Sequence, residues 1–198
     1  AEGGHLIDVG GESTKPGAQF VSPEEEIKRV LGPIRALVGK VSLPISVDTY
    51  KAKVAEAVLK AGASMINDVT GFFGDKTMAK VVAEFDVPVC IMMNRRLINS
   101  SGDVLKDLDL FFQQSLDRAE KAGIKQDRII LDPGIGFGLT SEESFQLIHQ
   151  LGHLKKYGMP ILLGASRKRI IWQTLGVNPT EGLEGTLATT AIGIFNGA

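Results

Sequence analysis

Short apolar runs recur six times along the chain: 5–9 (HLIDV), 44–48 (PISVD), 64–68 (SMIND), 88–92 (PVCIM), 128–132 (RIILD) and 160–164 (PILLG). Each is bounded by turn or polar residues, the mark of a short buried strand. Longer stretches with helical periodicity separate them. The clearest opens at Ser22-Pro23-Glu24-Glu25-Glu26, with Ser22 as N-cap, Pro23 at the first helical position and acids in the first turn. Glu25, three residues after Ser22, is placed to complete a capping box. Ile27, Val30, Leu31, Ile34 and Leu37 then line one face. Further helices are predicted at about 51–61, 77–84, 104–122, 142–157, 167–175 and 184–195.

Strands alternating with helices indicate a parallel sheet with crossover helices, and strands apolar on both faces fit one. An open doubly wound sheet and a (β/α)8 barrel both have this pattern. Polar residues stand at or just beyond nearly every strand end: Asp8, Asp48-Thr49, Asn67-Asp68, Asn94, Asp132 and Lys168. An open sheet gathers its chemistry at one switch point, whereas every strand of a barrel ends at the same mouth. The pattern therefore favours the barrel. Ala1-Glu2-Gly3-Gly4 reads as the tail of a helix entering a strand, and Asn196-Gly197-Ala198 as a helix C-cap. The expectation is a single α/β domain over 1–198, a (β/α)8 TIM barrel lacking its first and last strands. No composition break marks a second domain.

Composition narrows the class. With 22 Lys and Arg against 23 Asp and Glu, the net charge is −1, which leaves no basic footprint for nucleic acid or an anionic membrane surface. The lone Cys90 rules out an internal disulfide framework and a CxxC zinc site. No apolar run approaches the roughly 20 residues that span a bilayer. The expectation is a globular, cytoplasmic protein. Glycine is in excess, 23 of 198 residues, against about 7% in average proteins. The notable ones (Gly10-Gly11, Gly134, Gly136, Gly138 and Gly164) each lie at or just after the end of an apolar run.

Asp48 and Asp132 could simply cap a helix and shape a turn. Their recurrence after strands points to more. A carboxylate accepts two parallel hydrogen bonds from an amidine-like edge and so suits an aminopyrimidine ring; Asn67 offers both a donor and an acceptor. Metal binding by the same carboxylates is the competing chemistry. In 164–169 (GASRKR) Ser166 reads as an N-cap, placing three cations in a first turn where the helix dipole opposes them. An anionic partner would relieve that conflict. The run Gly134-Ile135-Gly136-Phe137-Gly138 lacks the GxGxxG spacing of a dinucleotide fingerprint. His149 and His153 have a metal-compatible spacing but no third ligand, and read as surface residues. Cys90 reads as a core residue.

Asp8-Val9-Gly10-Gly11-Glu12-Ser13-Thr14-Lys15-Pro16-Gly17 resembles the IDxGGEST(R/K)PG motif of the dihydropteroate synthases. The resemblance continues through Ile45–Thr49, Ile66–Val69, Ile130–Gly138 and Ser166-Arg167-Lys168, in the family's order and across essentially the whole chain. It implies a (β/α)8 enzyme of folate biosynthesis, usually a homodimer. Such an enzyme joins 6-hydroxymethyl-7,8-dihydropterin pyrophosphate to 4-aminobenzoate and releases pyrophosphate with Mg²⁺ assistance. On that resemblance Asp48, Asn67, Asp132 and Lys168 form the pterin pocket, Asp132 taking the aminopyrimidine edge and Lys168 a ring atom. Asp48 and Lys168 are the catalytic candidates, with Asp48 ionised beside a developing cation. Met92, Phe137, Gly164 and Arg169 lie near the bound substrates, and Thr14 and Pro16 belong to a mobile loop over them.

The family's first-strand Asn, which holds Mg²⁺, and its eighth-strand Arg-x-His have no counterpart in these residues, so no metal ligand is assigned here. These 198 residues alone are accordingly expected to be inactive, and the full protein active. Met92-Met93 stands where many members have Met-His, Leu139 where Lys is common and Arg169 where Ser is frequent. The alternatives are a methyltetrahydrofolate-binding methyltransferase on the same barrel, a Schiff-base aldolase using Lys168, and a catalytically silent pterin-binding homologue.

Overall fold

The computed structural model describes residues 3–15 and 17–198. Five strands, β1 (Ile7–Gly10), β2 (Ile45–Asp48), β3 (Met65–Asp68), β4 (Val89–Met92) and β5 (Ile129–Asp132), alternate with helices. The helices are α1 (Pro23–Leu37), α2 (Ala52–Lys60), α3 (Met78–Phe85), α4 (Val104–Ala122), α5 (Ser141–His149), α6 (Arg169–Leu175) and α7 (Leu183–Asn196). Strands β1 to β4 follow one another in the sheet in chain order. No helix among the described residues is long and apolar enough to cross a membrane.

The chain divides into two compact units. The first, 1–91 with 115–129, holds β1 to β3 and most of β4. Its ladders are parallel and in step: Gly10 stands opposite Asp48, Asp48 opposite Asn67, and Asn67 opposite Cys90. Val47, Ile66, Val89 and Ile91 are completely buried, as strands covered on both faces should be. Helix α1 begins as expected, with Pro23 in its first turn and the Ser22 hydroxyl accepting from Glu25 N–H at 3.3 Å. The capping box is half made, because the Glu25 carboxylate pairs instead with Arg29 one turn on, at 3.1 Å. Val30 and Ile34 bury the apolar face together with an acid, Glu26.

The second unit, 92–114 with 130–198, is built around Leu131, Ile135, Leu147, Leu151 and Leu154. Met93 N–H donates to Asp132 O at 2.9 Å beside β5. The sixth expected strand, 160–164, makes only an isolated parallel bridge between Ile161 and Leu131. Pro160 has no N–H to extend that ladder at its start. The expected helix 142–157 is two pieces, α5 and a 3₁₀ stretch Leu151–Tyr157. A full capping box between Thr140 and Glu143 starts the first piece.

Candidate active site

In the first unit the strand ends carry acids in a protected setting. Asp48, at the end of β2, is largely shielded from water. Burial, then the charges of Asp8, Asp68, Glu26 and Glu12, push its carboxyl up to about 7. That leaves the group near its midpoint at neutral pH. Asn67 is half-buried on the neighbouring strand, in register with Asp48. Asp68, completely buried, braces the backbone that follows it. Its carboxylate accepts from Thr70 N–H, the Thr70 hydroxyl and Phe72 N–H at 2.7 to 2.9 Å. These bonds hold the turn in which Phe72 adopts a left-handed φ of 68°.

Thr14 is half-buried in the segment after β1; Pro16 lies outside the described residues. That segment is anchored by Glu12, a motif residue to which sequence reasoning assigned no role. Glu12 accepts from Val21 N–H at 3.1 Å, so one carboxylate ties the two ends of the loop together. It also accepts from the Tyr50 hydroxyl at 2.9 Å and pairs with Lys51. Lys51 is buried, reaches Glu26 of α1 as well, and lies 4.4 Å from the centroid of the Tyr50 ring. Burial drives the Lys51 ammonium down, but Glu12 and Glu26 more than reverse this and hold it charged. The signal for this cluster was a lysine directly after the strand-end Asp48-Thr49-Tyr50.

In the second unit Asp132 and Lys168 face each other. Asp132 is buried, and its Oδ1 accepts from Gly134 N–H at 2.7 Å. Burial pushes its carboxyl up, while Lys168 and the backbone N–H groups of Gly134 and Gly164 pull it back. Lys168 is displaced downward by burial, and Asp132 resists. The Lys168 ammonium donates to Ile135 O and lies 5.1 Å from the centroid of the half-buried Phe137 ring. Gly134 is required: its φ is +73°, and a Cβ there would stand 1.7 Å from Met93 O. Met92 is buried at the end of β4.

The cationic turn differs from its expectation. Helix α6 starts at Arg169 with Lys168 as N-cap, not Ser166, and Arg167 takes a left-handed φ of 46°. Of the three cations only Arg169 is helical, and it is exposed. Lys168 turns back toward Ile135, so no stack of charges opposes the helix dipole.

Elsewhere in this unit Arg95, just past β4, is buried among acceptors. It meets Asp107 Oδ2 at 2.7 Å, the Ser100 hydroxyl at 2.7 Å and Glu143 at 2.5 Å. Asn94, counted among the strand-end candidates, accepts from Arg96 N–H at 3.3 Å and shapes the turn. His153 bonds Asp109 at 2.9 Å, alongside the Tyr157 hydroxyl and Lys156. Among the described residues no three His, Cys, Asp or Glu side chains converge to hold a metal.

Comparison with known proteins supplies the family. Residues 1–198 match the pterin binding enzyme family. The chain is 49% identical to dihydropteroate synthase of Clostridium beijerinckii, over 99% of this chain and 72% of that one. The crystal structure of a Clostridium difficile dihydropteroate synthase, solved with pteroic acid, superposes with a TM-score of 0.95 at 46% identity, covering 99% of this chain and 74% of that one. A Xanthomonas albilineans dihydropteroate synthase with 4-aminobenzoic acid superposes with a TM-score of 0.94 at 39% identity, covering 99% and 72%. The fold is accordingly of the α/β TIM-barrel class, and the chain belongs to the pterin-binding enzyme family, among its dihydropteroate synthases.

Proposed function

We propose that the protein binds 6-hydroxymethyl-7,8-dihydropterin pyrophosphate and 4-aminobenzoate and joins them into 7,8-dihydropteroate, releasing pyrophosphate. The observation that carries this reading is the buried Asp132 facing Lys168. A buried charge is costly unless paired, and the Asp132 carboxylate accepts from the N–H groups of Gly134 and Gly164 while its two oxygens have further lone pairs for a ligand. That carboxylate suits the N–H edge of an aminopyrimidine. Lys168 has three N–H groups and uses one on Ile135 O, leaving donors for a ring nitrogen or carbonyl.

The chemistry is a substitution at the pterin methylene. Its C–O bond breaks with both electrons leaving on pyrophosphate, and the positive charge spreads into the electron-rich dihydropterin. In this reading Asp48 stabilises that charge in its ionised form, and Asn67 holds the ring. The aromatic amine then attacks the methylene and loses its proton. Positioning of the two substrates supplies much of the acceleration, and no covalent enzyme intermediate is needed. Met92 and Phe137 are assigned as apolar walls, Gly164 as the space beside Asp132, Arg169 as part of the aminobenzoate side, and Thr14 and Pro16 as the covering loop.

Mg²⁺ would neutralise the departing pyrophosphate in the family's reaction. The described residues lack a convergent donor set for it, so no residue of this chain is assigned to the metal and no step runs through it. A homodimer, the family's usual assembly, in the cytoplasm completes the reading.

The test is to supply both substrates to the full-length protein and follow pyrophosphate release together with dihydropteroate. Product is expected only when both are present. Its absence with both would overturn the reading.

A further inference from the structure

Arg95 is tied to one short segment in two ways. Its backbone N–H donates to Phe137 O at 3.1 Å. Its side chain meets Glu143 Oε1 at 2.5 Å, and the other oxygen of that carboxylate accepts from Thr140 N–H at 2.8 Å. Residues 137–140 are thus bracketed by one arginine. The guanidinium is itself held by Asp107 of α4 and by the Ser100 hydroxyl, each at 2.7 Å. Close packing completes the bracket: a Cβ at Gly138 would stand 3.0 Å from Arg96 N and 3.3 Å from Arg95 C. The same run carries the contacts of Lys168. The Lys168 ammonium donates to Ile135 O and lies 5.1 Å from the centroid of the Phe137 ring. A Cβ at Gly136 would stand 3.7 Å from Lys168 Cδ. Arg95 and Lys168 therefore hold one run by two of its carbonyls, those of Phe137 and Ile135.

We propose that Arg95 is a positioning residue for pterin binding: by fixing 137–140 it sets where the Ile135 carbonyl and the Phe137 ring hold the Lys168 ammonium. The inference rests on the assignment of Lys168 to the pterin ring, and deepens it by naming what aims that lysine. An ammonium is a compact charge on a flexible four-carbon stem, so its remaining donors point where its fixed partner puts them. Arg95 suits the task because a planar guanidinium with five N–H donors can meet Asp107, Ser100 and Glu143 at once. A lysine in its place would keep the charge and lose the fork.

The test is a double-mutant cycle on the full-length protein, read by titration calorimetry with 6-hydroxymethyl-7,8-dihydropterin pyrophosphate. The variants are Arg95→Lys, Glu143→Gln and Lys168→Met, with each of the first two also combined with the third. Arg95→Lys is expected to weaken binding by about tenfold with Lys168 present, and by less than about twofold in combination with Lys168→Met. Glu143→Gln keeps an acceptor for Thr140 N–H; it should show the same dependence with a smaller loss, and it decides the matter if Arg95→Lys does not fold. A merely structural role would weaken binding equally in both backgrounds. That result, or no loss in either background, would overturn the proposal. Wild-type protein that does not bind the pterin pyrophosphate, or Lys168→Met that binds it as tightly as wild type, would overturn the assignment of Lys168 and the proposal with it.

Discussion

Gly164 is fitted to Asp132: a Cβ at position 164 would stand 3.2 Å from Asp132 Oδ2, closer than ordinary contact. An oxygen of the carboxylate that the proposed reading gives to the pterin is thus kept clear by a missing side chain. Gly164→Ala should weaken pterin pyrophosphate binding a few-fold, and Gly164→Val by at least about tenfold, or 1.4 kcal/mol. Titration calorimetry measures both, and unchanged affinity in the valine variant would remove Gly164 from the site.

Asp132→Asn keeps shape and removes the charge. Loss of a buried charged hydrogen bond to the ring should cost about 2–5 kcal/mol of pterin affinity. Equal binding by the asparagine variant would reject the role given to Asp132.

Asp48 makes two pH-dependent predictions. With its carboxyl pushed up to about 7 and the ionised form needed, kcat/KM should fall as pH drops through 7, and Asp48→Asn should lose activity together with that limb. Stability runs the other way. The folded protein holds the Asp48 proton up to about 7 and the unfolded chain only to about 3.8, so this group's contribution worsens as pH rises between those values. Asp48→Asn should therefore raise Tm at pH 8 and change it little at pH 3.5. Thermal melts at the two pH values decide the point.

Burial alone would raise the Asp107 carboxyl, yet hydrogen bonds from Ser101, Ser100 and Arg95 hold it down to about 2. Its stabilisation is present above its ordinary value of 3.8 and disappears as pH falls toward 2. Arg95→Leu strands this completely buried carboxylate and should cost about 3–5 kcal/mol at pH 7, with a smaller penalty in acid. Chemical denaturation at both pH values measures the difference.

Lys51 compensates Glu12 and Glu26 at the root of the loop after β1. Lys51→Met should destabilise by about 3–5 kcal/mol, because it leaves two shielded carboxylates unpaired. Adding Glu26→Gln should recover part of that loss. A double variant no more stable than the single one would show that the pair with Glu26 carries none of the energy.

The chain's local chemistry makes its elements readable. Strands β1 to β5 and helix α4 lie where apolar runs and periodicity place them, because buried strands such as β2 to β4 must be apolar and a packed helix must carry a stripe. Asp48, Asn67 and Asp132 also stand out in one dimension, since polar residues ending apolar strands have few structural reasons to be there. The failures have local causes too. The last strand shrinks to one bridge, between Ile161 and Leu131, and Pro160 has no N–H to extend it at its start. The basic turn departs from its pattern because Lys168 folds back to Ile135, a contact no spacing rule contains.

The alternation of elements, the polar strand ends and, through ordered motifs, the family are all written along the chain. Which charges meet is settled only in three dimensions: Glu12 with Lys51, Arg95 with Asp107, Asp132 with Lys168, and Arg96 with no carboxylate among the described residues. Hydrophobic patterning is a property of neighbours along the chain, so it survives in one dimension. Burial, charge pairing and the shift of Asp48 depend on residues brought together from separate elements, and those distances exist only once the chain has folded.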